Sequence, residues 1–189
     1  MSMRFERVLT AAARPRAVPD YLAGYPPQLR EPVFALIEQQ RFAEVLLKRY
    51  PRAHDVRSDG ALYDYVQAVR NRHLKTRAPL SKIGYDATLQ LLHKALGTHS
   101  TIPRIPGGTL TAKREIPVAG VFRDMPEDFL RMIVVHELAH LKESEHNKAF
   151  YQLCQHMEPR YFQLEFDLRA YLTYRDAGGE PLWPSTLVQ

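Results

Sequence analysis

Cysteine is almost absent from this chain, in which Cys154 is the one cysteine among 189 residues. A single cysteine excludes an internal disulfide, and it also excludes zinc sites built from several thiolates. Any metal site must therefore use histidine and carboxylate side chains. The lack of a disulfide framework is typical of a reducing compartment, so the sequence predicts a cytoplasmic protein.

The chain also lacks long hydrophobic runs. No apolar stretch approaches the roughly 20 residues that a membrane-spanning helix needs. The opening residues, MSMRFERVLTAAARPR, contain neither an apolar leader segment nor a small-residue cleavage site. We therefore expect a soluble intracellular protein with no membrane partner.

Acidic residues are in deficit, but only over part of the chain. Lys plus Arg total 26 against 21 Asp plus Glu, which gives a formal net charge of +5. Residues 1–125 carry 20 basic and 11 acidic groups, whereas residues 126–189 carry 6 and 10. The C-terminal third is therefore no basic surface for nucleic acid, and the overall charge permits an anionic partner without indicating nucleic acid.

The N-terminal half predicts an arm followed by helices. Residues 1–24 show little periodicity among their prolines and arginines, which predicts a flexible N-terminal arm. After Pro26-Pro27 the apolar spacing predicts a helix that runs to Pro51. Ser58-Asp59 then caps a second helix, which ends before Pro79. The apolar face of this second helix consists of Leu62, Val66, Val69 and His73.

Turn residues and short β-prone runs dominate the middle of the chain, from Leu80 to Phe122. They predict a small antiparallel sheet. Residues 87–96 are compatible with helix or strand, and we assign them to a strand because glycine and threonine follow. The remaining strand and turn segments are 82–85, 101–102, 106–108, 109–111 and 116–122.

The last third is predicted to be helical. Asp124 and Glu127 fit a capping box at the start of a strongly apolar helix. Further helices are predicted over 147–157 and 160–175, the latter ended by Gly178-Gly179. Together with the predicted sheet, these elements indicate an α+β protein.

The sequence HELAH at His136–His140 is the clearest chemical signal in the chain. Residues four apart share one face of a helix, so both imidazoles can reach a single metal ion. Glu137 then lies beside the metal, where a carboxylate can accept a proton from water and pass it to a leaving group. The apolar run at 129–135 predicts a buried helix, in which such polar groups are costly unless paired or bound to metal. The alternative is a helix turn with hydrogen-bonded histidines and a solvent-facing glutamate.

A catalytic zinc ion takes three protein ligands and keeps one position open. His146 is the leading third candidate, but on a continuous helix it would point about 120° away from His140. We therefore expect the chain to leave the helix between Leu141 and Glu145, with His146 turned inward at the start of the next helix. The result would be one zinc ion per chain.

Three other side chains compete for the third position, namely Glu158, His156 and Cys154. Glu158 lies 18 residues after His140, close to the spacing at which some zinc hydrolases supply a glutamate. Cys154 lies on an apolar stripe and fits a small core residue better. If His156 or Glu158 joined the three histidines, a structural metal in a non-enzymatic recruitment module would be favoured.

The run MIVVHELAHLKESEHNKAFYQLCQHMEP, followed by YFQLEFDLRAYL, closely resembles the YgjP-like metallopeptidase family, which is related to the SprT-like and minigluzincin zinc proteins. Upstream segments such as GYPPQL, LLKRYP, ALGTH and KREIPVAGVFR extend the resemblance over about 25–172. The resemblance implies a zincin-like α+β domain over 25–175, preceded by the arm at 1–24 and followed by a tail at 176–189. It places the metal ligands at His136, His140 and His146, with Glu137 as the catalytic acid and base. Phe150 and Tyr151 match the aromatic residues that follow the third histidine in the family.

Two enzymatic functions follow from these residues and this resemblance. The first is a zinc peptidase, in which an edge strand at 116–122 holds an extended peptide and His156, Tyr151 or Tyr161 steadies the oxyanion.

The second is a UTP pyrophosphatase that yields UMP and diphosphate, because close relatives carry that name. In that case basic residues between Arg41 and Lys82, or Lys113 and Arg114, would neutralise the triphosphate. The substrate is therefore a peptide or a nucleotide, and both reactions need a metal-activated water.

Overall fold

The computed structural model describes residues 20–74, 80, 82–86 and 115–183. Its N-terminal elements are α1 (Pro27–Glu38), α2 (Phe42–Arg49) and α3 (Asp59–His73). The sheet consists of β1 (Lys82–Asp86) and β2 (Glu115–Ala119), and a 3-10 turn follows at Gly120–Asp124. The C-terminal helices are α4 (Glu127–Ala139), α5 (Lys148–Met157) and α6 (Tyr161–Asp176). The described residues therefore form a mixed fold of helices with a small sheet.

The helix predicted to run to Pro51 is wrong, because the chain breaks between α1 and α2. Gln40 adopts a left-handed conformation with φ 57°. The N–H of Arg41 donates to the carbonyl of Leu36 at 2.9 Å, and that of Gln40 donates to Ile37 at 3.0 Å, the pattern of a Schellman cap. Apolar periodicity continues across the break and glutamine replaces the usual glycine, so the sequence carries no stop signal there.

Helix α3 begins as predicted. The hydroxyl of Ser58 accepts a hydrogen bond from the N–H of Ala61 at 3.1 Å, and Leu62, Val66 and Val69 are buried. The buried side chain of His54, which precedes this helix, contacts the 3-10 turn. Its Nε2 lies 2.8 Å from the carbonyl of Phe122, and its Nδ1 accepts the N–H of Val56 at 3.0 Å.

The predicted antiparallel sheet is wrong, because β1 and β2 are parallel. Ile83 pairs with Ile116, and Tyr85 pairs with Val118. A parallel pair requires a connection of a dozen or more residues, and the stretch between the two strands is long enough for one, whereas the prediction assumed short turns. The predicted strand at 87–96 and the segments at 101–102, 106–108 and 109–111 lie outside the described residues. β2 ends at Ala119, ahead of the predicted 122, because the 3-10 turn begins at Gly120.

Helix α4 forms the centre of the core and carries the candidate site at its C-terminal end. Its start differs from the predicted capping box. Pro126 occupies the cap position, and its carbonyl accepts the N–H groups of Phe129 and Leu130 at 3.1 and 3.2 Å. Asp124 instead belongs to the 3-10 turn and pairs with Arg57 at 3.2 Å. The buried residues of α4 are Phe129, Leu130, Met132, Ile133, Val134, Val135, His136, Leu138 and Ala139.

The two remaining helices agree with their predictions. The side chain of Asn147 caps α5 by accepting the N–H of Phe150 at 2.9 Å. Helix α6 ends at Asp176, and Gly178 follows with φ 90°, a conformation that glycine adopts without strain. Both helices pack against α4.

Side chains near both ends of the described chain belong to the core. Leu22 is fully buried, and the indole N–H of Trp183 donates to the carbonyl of Tyr50 at 2.8 Å. The division into an arm at 1–24, a domain at 25–175 and a tail at 176–189 stays a prediction. In the part of the chain that the structure covers, no helix combines the length and apolar character that a bilayer crossing requires.

Candidate metal centre

Three histidines meet at the junction of α4 and α5. His136 is a buried residue of α4, His140 is the C-cap residue of that helix, and His146 directly precedes the N-cap of α5. The Nε2 atom of His146 lies 3.2 Å from that of His136 and 3.0 Å from that of His140. The three rings therefore direct their Nε2 atoms at one another, around a single point.

The turn between the two helices makes this meeting possible. The helix ends at Ala139, slightly ahead of the predicted exit between Leu141 and Glu145. The N–H groups of Lys142 and Glu143 both donate to the carbonyl of Ala139 at 2.9 Å, which folds the chain back. The ring of His146 is brought to the other two as expected, although the residue as a whole is exposed to solvent.

The far nitrogens of two rings are held by hydrogen bonds. The Nδ1 of His140 lies 3.0 Å from the carbonyl of Glu143, and because a carbonyl only accepts, this Nδ1 carries the proton. The Nδ1 of His136 lies 2.8 Å from the hydroxyl of Tyr161, the first residue of α6. Tyr161 is buried, and burial raises the pKa of its phenol, so the hydroxyl stays neutral. Each contact orients its ring with Nε2 toward the centre.

Phe150 forms the wall against which all three imidazoles pack. Its ring centroid lies 4.9 Å from that of His136, 4.6 Å from that of His140 and 4.7 Å from that of His146. Phe150 is fully buried and sits on α5. The aromatic position that the resemblance singled out therefore supports the triad sterically.

The surroundings of His136 and His146 favour the neutral form of these two imidazoles. Burial lowers the pKa of His136 well below its ordinary value, and the neighbouring His140 and His146 lower it further. Burial and His140 also lower the pKa of His146. Because the neutral form of imidazole is the metal ligand, these shifts favour metal binding at neutral pH.

Glu137 directly follows His136 near the C-terminal end of α4. Its side chain is partly buried. Burial raises the pKa of its carboxyl to about 7. A carboxyl that titrates near neutrality can both accept and release a proton.

The competing ligands are placed elsewhere. The buried carboxylate of Glu158 pairs with Arg131 Nε at 2.6 Å and accepts the backbone N–H of Arg160 at 3.1 Å. The ring of His156 contacts that of His73 at 6.1 Å. Cys154 is fully buried, and burial raises the pKa of its thiol to about 12, as a core residue would show. Among the described residues, the cluster able to hold a metal ion is the group His136, His140 and His146.

The separations of the Nε2 atoms fit an ion of the size of zinc. Imidazole nitrogens bound at ~2.0–2.1 Å in tetrahedral geometry lie roughly 3.3 Å apart. The measured separations of 3.0 and 3.2 Å are close to this value. Three imidazoles, of which His146 belongs to an exposed residue, match the donor set of catalytic zinc sites.

Comparison with known proteins identifies the family. A family model described as YgjP-like, metallopeptidase domain matches residues 108–171. The UTP pyrophosphatase of Escherichia coli (strain K12) is 57% identical over 158 residues, which are 84% of this chain and 95% of the relative. This chain belongs to the YgjP-like family. The resemblance drawn from the sequence is thereby confirmed, while no solved structure matches the chain.

Tyr161 makes a different contact in the YgjP-like site from the one that the sequence predicted. Tyr161 was a candidate to steady an oxyanion, yet its hydroxyl lies at Nδ1 of His136, away from the nitrogen that faces the triad. The carbonyl of Glu143 plays the matching part for His140. Neither contact has a sequence signal, because one depends on how α6 packs and the other on a backbone atom of a turn.

Proposed function

We propose that this chain is a zinc-dependent hydrolase that cleaves UTP to UMP and diphosphate. His136, His140 and His146 are the metal ligands, and the domain has a zincin-like fold with α4 as its active-site helix. The observation that carries the proposal is the convergence of the three Nε2 atoms, with Glu137 directly after His136 in the sequence. The nucleotide substrate is supported by the name of the relative that is 57% identical.

The chain's own residues account for the proton transfers. When bound, the zinc ion would supply a Lewis acid toward water and a phosphoryl oxygen. Glu137 accepts a proton from the attacking water and returns it to the departing diphosphate, so that one water is consumed as the bond between the α- and β-phosphates breaks. Tyr161 and the carbonyl of Glu143 hold two of the rings in the orientation this requires.

Two cations close to His146 in the sequence suit a triphosphate. Lys142 and Lys148 are exposed and flank the stretch that contains His146. Ammonium groups so placed would neutralise phosphate oxygens. Lys113 and Arg114, which the sequence also suggested for this role, lie outside the described residues.

A zinc peptidase is the second candidate. It is supported by the description of the matching family model as a metallopeptidase domain and by the HELAH sequence. The same Glu137 would then activate water against a peptide carbonyl. The strand proposed to hold the peptide is β2, which extends over Glu115–Ala119.

One experiment separates the two functions. The purified protein is analysed for zinc and assayed with UTP and with casein, as wild type, Glu137→Gln and Glu145→Gln. Glu145 is exposed beside the triad and controls for the loss of one negative charge. We expect UTP turnover in wild type and Glu145→Gln, a loss of at least about 100-fold in Glu137→Gln, and intact casein throughout. Casein cleavage that depends on Glu137, without UTP turnover, would favour the peptidase.

A further inference from the structure

Two aromatic side chains continue outward from the histidine triad, and we call Tyr151 and Phe162 the aromatic shelf. The ring of Tyr151 lies 6.3 Å from that of His146. The ring of Phe162 lies 5.5 Å from that of Tyr151 at an interplanar angle of 36°. The shelf therefore begins at His146, the exposed member of the triad, and continues from Tyr151 to Phe162.

The shelf is accessible to a ligand. Phe162 is 44% exposed, and Tyr151 is half-buried. Phe162 directly follows Tyr161, which is 1% exposed. The first turn of α6 thus directs one aromatic ring inward to His136 and the next one outward beside the site. The ring of Phe162 lies one step beyond Tyr151 and borders the apolar groove between α1, α2 and α6, so its exposed face can receive a planar ligand.

We infer that the aromatic shelf is the subsite for the uracil base of UTP, an inference that rests on the proposed function. In a nucleotide, one ribose separates the base from the α-phosphate. The distance between base and phosphate is therefore of the same order as the distances between neighbouring rings of the shelf. With the phosphates at the triad, the base reaches Tyr151 and Phe162. Aromatic side chains bind bases by stacking on their faces.

The shelf and the metal centre have separable roles on this arrangement. The phosphate groups bind at the histidine triad, and the base binds at the shelf. Loss of the shelf is therefore expected to weaken the binding of ligands that contain uracil and to leave the binding of ligands that contain only phosphate unchanged.

The test compares Phe162→Ala with Tyr63→Ala, because Tyr63 is also 44% exposed but lies on α3. Steady-state turnover of UTP is measured for both zinc-loaded variants, together with inhibition by UMP and by inorganic diphosphate. We expect Phe162→Ala to raise KM for UTP and the inhibition constant of UMP about tenfold, with kcat and inhibition by diphosphate unchanged. Tyr63→Ala should match wild type. Phe162→Leu should behave as Phe162→Ala, and Phe162→Tyr should restore wild-type KM.

The possible failures are distinguishable. Turnover of UTP by wild type, with equal KM in Phe162→Ala and Tyr63→Ala, would overturn the shelf and leave the proposed function standing. Equal weakening of UMP and diphosphate would overturn it too, because the defect would then be general. A zinc-loaded wild type that does not hydrolyse UTP would refute the proposed function and the shelf together.

Discussion

The hydroxyl of Tyr161 offers a direct test of the ligand assignment. Substitution Tyr161→Phe keeps the buried ring and removes the hydroxyl, which lies 2.8 Å from Nδ1 of His136. In the metal-binding tautomer that nitrogen carries a proton, which would then be buried without an acceptor. Leaving such a donor unpaired costs about 1–3 kcal/mol, which corresponds to a loss of about 5- to 150-fold in affinity. A loss of 10- to 100-fold is also usual when an outer partner of a ligating histidine is removed.

Zinc affinity is measured by competition with a chromophoric chelator at pH 7.5. Tyr171→Phe is the matched control, because Tyr171 is also a buried residue of α6 and its hydroxyl hydrogen-bonds the backbone of Leu182 instead. We expect Tyr161→Phe to bind zinc about 10- to 100-fold more weakly than Tyr171→Phe. Equal zinc affinity in the two variants would refute the reasoning, since the lost hydroxyl would then have no effect on His136.

Three further predictions concern the ligand set and the fold. His146→Ala should lower the affinity for zinc at least about 100-fold, while Glu158→Gln should bind zinc as tightly as wild type. The opposite result would show that Glu158, and not His146, is the third ligand. Gln40→Gly should raise the free energy of unfolding in urea by about 1 kcal/mol, because glycine adopts the left-handed conformation without a Cβ penalty; no gain would contradict the cap. Burial lowers the pKa of His54 in the folded state, so this histidine binds a proton more tightly in the unfolded state. Its contribution to the free energy of unfolding is therefore complete above about pH 6.5, the ordinary pKa of histidine. Below that pH the free energy of unfolding falls by at most about 1.4 kcal/mol per pH unit. His54→Gln should show a shallower fall between pH 7.5 and 5 in urea unfolding, and an unchanged slope would exclude this histidine as the cause.

The candidate site was the most predictable part of the protein. His136, Glu137 and His140 follow from the spacing of one helix, and the need for an early helix exit pointed to His146. The structure brings the three histidines together as that argument requires. These residues lie within one short stretch of chain, so local geometry was enough to relate them.

The elements that could not be predicted depend on distant or weak signals. The parallel pairing of β1 with β2 depends on the path of the intervening chain, which alternation of residue types does not reveal. The break at Gln40 has no glycine to mark it. The capping box at Asp124 was a local match that the 3-10 turn overrode. Tyr161 reaches His136 from 25 positions away through helix packing.

The spacing of these contacts has a consequence for the order of assembly. His136 and His146 are ten positions apart, so a metal that bridges them closes a short loop at little entropic cost. The three nitrogens can therefore meet as soon as the turn after Ala139 has formed. Tyr161 joins only when α6 docks. With the proposed ligand set, the tightness of metal binding would thus report whether the last helix is in place, and release of that helix would loosen the metal before the triad itself came apart.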